Sequence, residues 1–171
     1  WNVTDDQGAV SANSTFSITV TGTNDAPVAV ADIGTTSENV ILAVNAASGI
    51  LFNDTDLDTT DTHNVSEVAG AGGNVGVSVA GDSGGSFTIN ADGSYSFNPG
   101  SDFDYLAVGE STTTKVSYTV SDNNGATSTS DLTITVTGTN DAPVATVEAN
   151  ASATEDGVVI SGTLQSIDAD I

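Results

Sequence analysis

Closely spaced acidic residues are the feature of this sequence that could do chemistry. Like charges this close repel one another unless a cation neutralises them, and Lys115 is the only basic side chain apart from His63. Calcium binds six to eight carboxylate, amide or carbonyl oxygens, whereas magnesium demands stricter geometry and zinc prefers Cys and His. We therefore predict calcium. The predicted ligands are Asn24, Asp25, Glu38, Asp54, Asp56, Asp58, Asp102, Asp104, Asn140, Asp141, Asp168 and Asp170.

The same acid pairs have a second interpretation. Asp102 with Asp104, or Asp56 with Asp58, could be the two carboxylates of a glycosidase. Metal sites in loops between strands are the commoner cause of such pairs, and no elaboration that would form a pocket is visible. We therefore expect that the protein is not an enzyme.

Composition excludes several classes of function. The chain has 171 residues, 23 acids, one Lys or Arg and a net charge of −22. Such a chain cannot neutralise nucleic-acid phosphates or bind an anionic membrane surface. It has no Cys for disulfides, and no apolar run approaches the roughly 20 residues of a membrane span. Because no signal peptide precedes Trp1, we expect an internal piece of a longer protein.

Apolar residues alternate with polar ones in several segments, which predicts strands with one buried face. The clearest runs lie over residues 16–20, 75–79, 116–120 and 132–136. Turn signals separate them: Ala91-Asp92-Gly93 between residues 86–90 and 94–98, Gly81–Gly85, and Asp122–Gly125. No long segment has helical spacing. The predicted fold class is all-β, a two-layer sandwich.

An internal repeat gives the organisation of the chain. Residues 18–29 and 134–145 are identical, I-T-V-T-G-T-N-D-A-P-V-A, at an offset of 116 residues. Upstream, residues 3–8 resemble residues 120–125, and downstream Glu38 matches Glu155. A period of this length indicates whole domains in tandem. We expect 1–24 to be the last strands of one repeat, 25–139 a complete repeat, and 140–171 the first strands of the next.

Strand arithmetic groups the predicted ligands at two ends of the sandwich. From Pro27 to Glu38 is roughly 35 Å of extended chain, the length of a domain. The chain then returns, so Asp54, Asp56 and Asp58 should lie beside Asn24 and Asp25. An odd number of crossings places Asp102 and Asp104 with Glu38 and the second Asn-Asp pair. Residues 64–79 could be one crossing or two, and two would reverse that placement.

The repeated junction T-N-D-A-P-V resembles the calcium linker of cadherins, and the paired acids resemble the cadherin D-x-D. D-G-S-Y-S-F-N-P, L-A-V-G-E-S and S-D-N-N-G-A-T-S resemble the VCBS and cadherin-like repeats of giant bacterial RTX adhesins. The resemblance implies tandem Ig-like or cadherin-like sandwich repeats of seven to eight strands. It also implies type I secretion, exposure on the bacterial cell surface, and a role in attachment or biofilm formation.

We therefore predict an extracellular spacer module in which calcium stiffens the junctions between neighbouring repeats of the same chain. The alternative is a calcium-dependent module that binds polysaccharide, another surface protein or an identical repeat on another cell. Exposed aromatic side chains would favour that alternative. A third interpretation, an extracellular hydrolase, would require turnover that depends on Asp102 or Asp104.

Overall fold

The computed structural model describes residues 1–145, 155, 166–168 and 170. Within these residues the regular structure is strands and two short 3-10 helices, Ala46–Ser48 and Gly72–Asn74. The strands are β1 (Asp32–Ser37), β2 (Leu42–Val44), β3 (Asn64–Val68), β4 (Ser78–Ala80), β5 (Ser86–Ile89), β6 (Tyr95–Asn98), β7 (Ser111–Ser121), β8 (Thr127–Thr137), β9 (Val144–Ala145) and β10 (Ser166–Ile167). The predicted all-β class is confirmed.

Two four-stranded sheets form the sandwich, in the orders β1-β8-β7-β3 and β2-β6-β5-β4. β7 and β8 pair along their whole length, and β1 pairs with β8 in parallel. We call the end where β7 ends and β8 begins, at the pair Ser121 and Thr127, the first pole. The opposite end, where Ser37, Ser111 and Thr137 share one level, is the second pole.

The segment 64–79, whose path the sequence left open, makes a single crossing in two short pieces. β3 begins at the first pole opposite Ser121, and β4 ends at the second pole opposite Ser86. The two strands belong to different sheets, and the short 3-10 helix Gly72–Asn74 lies between them. The number of crossings is therefore odd, and the loop between β6 and β7 lies at the second pole.

The predicted turns form. β5 and β6 are an antiparallel hairpin in which Gly93 has a φ of 82°. The strand expected over 75–79 is shorter than predicted, because only Ser78–Ala80 is extended and paired. Gly76 has a φ of 73°, and this left-handed residue interrupts the alternation before β4.

The core lies between the two sheets of the complete repeat. Ile134, Leu132 and Val136 of β8 face Phe87 and Phe97 of the opposite sheet in one buried cluster. The rings of Phe87 and Phe97 are 4.7 Å apart, and Phe103 packs on Phe97 at 6.2 Å. These aromatic rings add buried apolar area to a core that otherwise consists mainly of Val, Ile and Leu side chains.

Residues 1–24 do not form the strand expected over 16–20. They contain one bridge, Thr4 to Val10, while Phe16, Ile18 and Val20 are 79%, 73% and 87% exposed. An alternating segment is buried only when a second layer covers its apolar face. Within the described residues no sheet does so, and the division of the chain into three repeats stays a prediction.

Candidate metal centres at the two poles

The first linker, residues 22–27, is held to the first pole by backbone contacts. The Asp25 amide donates to Asp58 Oδ2 at 2.7 Å, and the Asp58 amide donates to Asp56 Oδ1 at 2.9 Å. Val28 and Thr55 exchange backbone hydrogen bonds of 2.7 and 3.3 Å. The structure therefore brings Asn24 and Asp25 beside Asp56 and Asp58, as strand arithmetic predicts.

Three carboxylates lie close together at the first pole, next to this linker. Asp56, Asp61 and Asp122 each place an oxygen within 4.8 Å of the others, and Asp122 is only 4% exposed. His63 Nε2 lies 3.1 Å from Asp56 Oδ2. An open polar cavity of about 370 Å³ adjoins them, lined by linker residues 22–24, the loop residues Asp58, Thr60 and Asp61, and Asn124.

Hydrogen bonds keep Asp122 ionised. The Asn24 side chain donates to Asp122 Oδ2 at 2.8 Å, and the amides of Asn124 and Ala126 donate to Oδ1 at 2.9 Å each. These donors, Asn24 first, hold the pKa of Asp122 below its ordinary value. The charge is fixed in place and available to a cation.

Sequence reasoning missed Asp61 and Asp122. A signal for Asp122 was present in the internal repeat, where it aligns with Asp5. Asp5 Oδ1 accepts from Gln7 N and Ala9 N, just as Asp122 Oδ1 accepts from Asn124 N and Ala126 N. Asp61 carries no such signal, because only the course of the loop after Asp58 brings it to the cluster.

Asp54 was predicted to be a calcium ligand together with Asp56 and Asp58, but its side chain points towards the Val30 backbone. Its Oδ1 accepts from the Val30 amide at 2.8 Å, and its buried Oδ2 has no partner among the described residues. Burial raises the pKa of Asp54. Burial also raises the pKa of Asp32, with a smaller contribution from the charge of Asp54. Asp54 therefore belongs with Asp32 and Tyr118, whose hydroxyl lies 2.7 Å from Asp32 Oδ2.

The second pole is built around a buried glutamate. Glu38 is 0% exposed, and its Oε1 accepts from both the amide and the hydroxyl of Thr139. Its Oε2 has no partner in the part of the chain that the structure describes. An unpaired buried carboxylate oxygen is costly unless something positive faces it.

The second linker, residues 138–143, adds further carboxylates. The Asp141 amide donates to Asp170 Oδ2 at 2.9 Å, and the Asp170 amide donates to Asp168 Oδ1 at 3.2 Å. Asp170 Oδ1 is buried without a partner among the described residues. Loss of solvation raises the pKa of Asp141, and the negative charges of Asp170, Glu38 and Asp104 raise it further. These charges share one region.

The structure separates the predicted pair Asp102 and Asp104. Asp104 is close enough to Asp141 to raise the pKa of its carboxyl group. Asp102 Oδ2 instead accepts from the Gly85 amide at 2.7 Å and supports the turn between β4 and β5. Gly84 and Gly85 both have positive φ in this turn, a conformation that favours glycine.

The two linkers close onto the following residues in the same way. The hydrogen bond from the Asp25 amide to the Asp58 carboxylate has its counterpart in the bond from the Asp141 amide to Asp170. Likewise, the bond from the Asp58 amide to the Asp56 carboxylate has its counterpart in the bond from the Asp170 amide to Asp168. The side chains of Asn24 and Asn140 each donate to the carbonyl of the next residue at 3.0 Å. The repeated sequence thus produces a repeated local structure.

The donors at both poles are almost entirely oxygen, which suits calcium better than zinc. The residues present fit the ion in two ways: three carboxylates cluster at the first pole, and at the second pole Glu38 and Asp170 each have a buried oxygen without a partner among the described residues. At the first pole Asp56, Asp58, Asp61 and Asp122 would hold it. At the second pole the corresponding residues would be Glu38, Asp104, Asp141, Asp168 and Asp170. A bound ion would supply positive charge that offsets their repulsion.

Within the described residues, no helix is long and apolar enough to cross a membrane. No curated protein matches the chain. One similar solved structure is a nucleoside hydrolase-related hypothetical protein from Saccharophagus degradans, described as associated with carbohydrate metabolism. It is 16% identical with a TM-score of 0.39, and the match covers 68% of this chain and 26% of that one.

The model of the bacterial cadherin-like domain matches residues 24–138. This range contains both four-stranded sheets, the clustered carboxylates of the first pole and the whole core. At the second pole it contains Glu38 and Asp104, whereas Asp141, Asp168 and Asp170 follow it. Cadherin-like domains are typically extracellular and generally bind calcium. The chain belongs to the bacterial cadherin-like domain family.

Proposed function

We propose that this chain is an extracellular spacer of a long bacterial surface adhesin, in which calcium stiffens the junctions between repeats. The observation that carries the proposal is Glu38. It is fully buried beside the second linker, with one oxygen bonded to Thr139 and the other without a partner among the described residues. A buried charge in this state is expensive, and a cation is the simplest counter-charge.

The same ion would connect two repeats. Glu38 and Asp104 belong to the complete repeat, whereas Asp168 and Asp170 follow the second linker. Thr139 is held by Glu38, and Asp141 is held by Asp170. Between them, the Asn140 side chain donates only to the neighbouring Asp141 carbonyl among the described residues. An ion shared by both sides would hold the two repeats together across this linker, and the module would then extend the reach of the adhesin in attachment and biofilm formation.

The proposal includes no catalytic role and places the protein on the cell surface after type I secretion. Support comes from the family, from the resemblance of the motifs to RTX adhesin repeats, and from the net charge of −22. A polyanionic surface opposes sideways association of neighbouring arms. The partners of the module are the repeats before and after it.

Calcium titration of the 171-residue protein by calorimetry tests the ligand set. The E38Q substitution keeps an acceptor oxygen for Thr139 and removes the charge, so we expect calcium affinity at the second pole to fall about tenfold or more. The matched control is E67Q. Glu67 lies in β3, and among the described residues the one side-chain hydrogen bond of its carboxylate is from Thr119 Oγ1 at 3.4 Å.

Small-angle scattering of a protein with several consecutive repeats tests stiffening. We expect its maximum dimension to shorten and its flexibility to rise when a chelator removes calcium. An unchanged profile, or E38Q and E67Q with equal calcium affinities, would contradict the proposal.

Two exposed aromatic residues favour the alternative of a binding module. Phe52 at the first pole is 77% exposed, and Tyr105 at the second pole is 52% exposed. Exposed rings can stack on sugars or pack on another protein. Binding of the chain to a glycan array, lost on F52A or Y105A, would support that function. If the chain binds no glycan, we would interpret Phe52 and Tyr105 as contacts between neighbouring repeats.

A further inference from the structure

Asn124 closes a clasp between the first linker and the body of the repeat. Its Nδ2 donates to Asn24 Oδ1 at 2.7 Å and to Asp61 Oδ2 at 2.8 Å. The Asn24 side chain in turn donates to Asp122 Oδ2. We use the name linker clasp for Asn24, Asp61, Asp122 and Asn124. Both hydrogens of the Asn124 side-chain amide are engaged, so the clasp depends on that amide.

Asn124 is also the asparagine of this chain whose side-chain amide is most open to attack by the following backbone nitrogen. Asn124-Gly125 is the only Asn-Gly pair in the sequence. It lies at the exposed tip of the turn between β7 and β8, where Gly125 has a φ of 93°. Glycine lacks a Cβ, so its peptide nitrogen can approach the preceding side chain more closely than that of any other residue.

We propose that Asn124 is a self-modification site, and that its deamidation opens the linker clasp. The Gly125 nitrogen loses its proton to solvent and bonds to Asn124 Cγ, while the Cγ–Nδ2 bond breaks and Nδ2 leaves as ammonia. Water then opens the five-membered succinimide to an aspartyl or isoaspartyl residue. The balance is one water consumed and one ammonia released, with no oxidant or cofactor.

The product cannot keep the clasp. A carboxylate oxygen replaces the donor nitrogen and faces two acceptors, Asn24 Oδ1 and the Asp61 carboxylate. Two donated hydrogen bonds become one contact between lone pairs and one between like charges. Deamidation is irreversible, so a linker clasp that has opened in this way would stay open.

The closed clasp protects its own amide. With Nδ2 held on Asn24 and Asp61, Asn124 must release these contacts before Cγ can reach the Gly125 nitrogen. The preceding copy of the turn provides an internal control, because Gln7-Gly8 occupies the equivalent position and its amide must form a slower six-membered ring. The inference goes beyond the proposed function and does not use calcium.

Peptide mass spectrometry of the 171-residue protein, aged in mildly alkaline buffer with a chelator, measures the reaction. We expect Asn124 to convert faster than every other asparagine, with Gln7 unchanged. Conversion no faster than that of the neighbouring exposed Asn123 would overturn the assignment of the site.

The N24A substitution tests whether the clasp controls the rate. It removes one acceptor of Nδ2, and we expect conversion of Asn124 to accelerate about fivefold, which corresponds to about 1 kcal/mol for one hydrogen bond. N140A is the matched control, because Asn140 has the same sequence neighbours and its side chain contacts only the Asp141 carbonyl among the described residues. Equal rates in the two variants would overturn the protective role.

Hydrogen exchange at residues 23–26 tests the consequence of the modification without ageing the protein. We expect N124D to accelerate exchange there, and N123D to leave it unchanged. Asn123 lies in the same turn, and within the described part of the chain its side chain only accepts from the Thr62 amide, a bond that a carboxylate retains. Unchanged exchange in N124D would overturn the claim that deamidation opens the clasp, even if the chemistry at Asn124 is found.

Discussion

Two segments of this chain share nearly the same sequence but differ in burial. In β8, Leu132, Ile134 and Val136 are all 0% exposed. The residues 116 positions earlier, Phe16, Ile18 and Val20, are between 73% and 87% exposed. β8 pairs with β7 and β1 and faces the second sheet, whereas residues 16–20 have no such neighbours among the described residues. The comparison teaches that alternation specifies which face can be buried, and that the opposite layer decides whether it is.

The turns that precede these segments differ much less. The Asp5 amide bonds to the Ala9 carbonyl at 2.9 Å, and the Asp122 amide bonds to the Ala126 carbonyl at 3.1 Å. Each carboxylate accepts the amides two and four residues later. A local motif of this kind needs only its own residues, so it forms in both copies.

The largest expected effect comes from making the same isoleucine-to-alanine substitution in both segments. I134A removes a fully buried side chain from the core, and we expect it to lower the free energy of unfolding by about 2–5 kcal/mol. I18A alters the same residue in the same local sequence, but Ile18 is 73% exposed, so its effect should stay within about 0.5 kcal/mol. Urea denaturation measures both. Equal losses would mean that residues 1–24 pack against the repeat in solution.

The second pair of substitutions removes the turn carboxylates. D122A deprives two backbone amides and the Asn24 side chain of their acceptor, so with a chelator present it should lower the free energy of unfolding clearly more than D5A does. D5A deprives two amides in an exposed hairpin, so its cost in global unfolding should be below about 0.5 kcal/mol.

The effect of D122A should also depend on pH. The pKa of Asp122 is lowered, so its contribution to stability is present above the unfolded value of 3.8 and is lost as the pH falls through the lower folded pKa. Native protein and D122A should therefore converge in strongly acidic urea titrations. A difference that persists there would show that the charge of Asp122 is not what matters.

The smallest expected effect is at the start of β1, where the complete repeat half-buries a carboxyl group. Burial raises the pKa of Asp32, so its contribution to stability is complete below the ordinary value of 3.8 and is lost as the pH rises through the folded pKa. D32N keeps an acceptor for the Tyr118 hydroxyl without the charge. We expect a gain of at most about 1 kcal/mol at neutral pH, because solvent screens a half-exposed carboxylate.

Urea denaturation at neutral pH and at about pH 3 checks this prediction, with no difference between D32N and native protein expected at the lower value. A less stable D32N at neutral pH would show that the carboxylate form is the one that the fold prefers.

Much of the fold could be predicted because it is local. The alternation of apolar and polar residues in β7 and β8, and the Asp-Gly turn between β5 and β6, are patterns of consecutive residues that can be recognised in the sequence. The strand near 75–79 was predicted too long, because Gly76 adopts a left-handed conformation while its amide donates to the Ile89 carbonyl of β5. Pairing across the sandwich could not be derived from either strand alone.

The candidate sites were predicted in part for the same reason. Asn24, Asp25, Asp56 and Asp58 meet because the chain returns after one pair of strands, which counting residues could show. Counting residues cannot show where a side chain points. Asp54 turns to Val30, and Asp102 turns to Gly85, although each stands two residues from a carboxylate that faces a linker.

The sequence by itself determined the all-β class, the repeated linker and its local closure, and the excess of negative charge, because each depends on residue types and on neighbours within a few positions. Only the tertiary structure decided that Glu38 is buried with one oxygen that lacks a partner among the described residues, that Asp61 and Asp122 join Asp56, and that Asn124 holds Asn24. These contacts join residues far apart in the chain, and their formation depends on how two sheets pack and not on the propensity of any one segment.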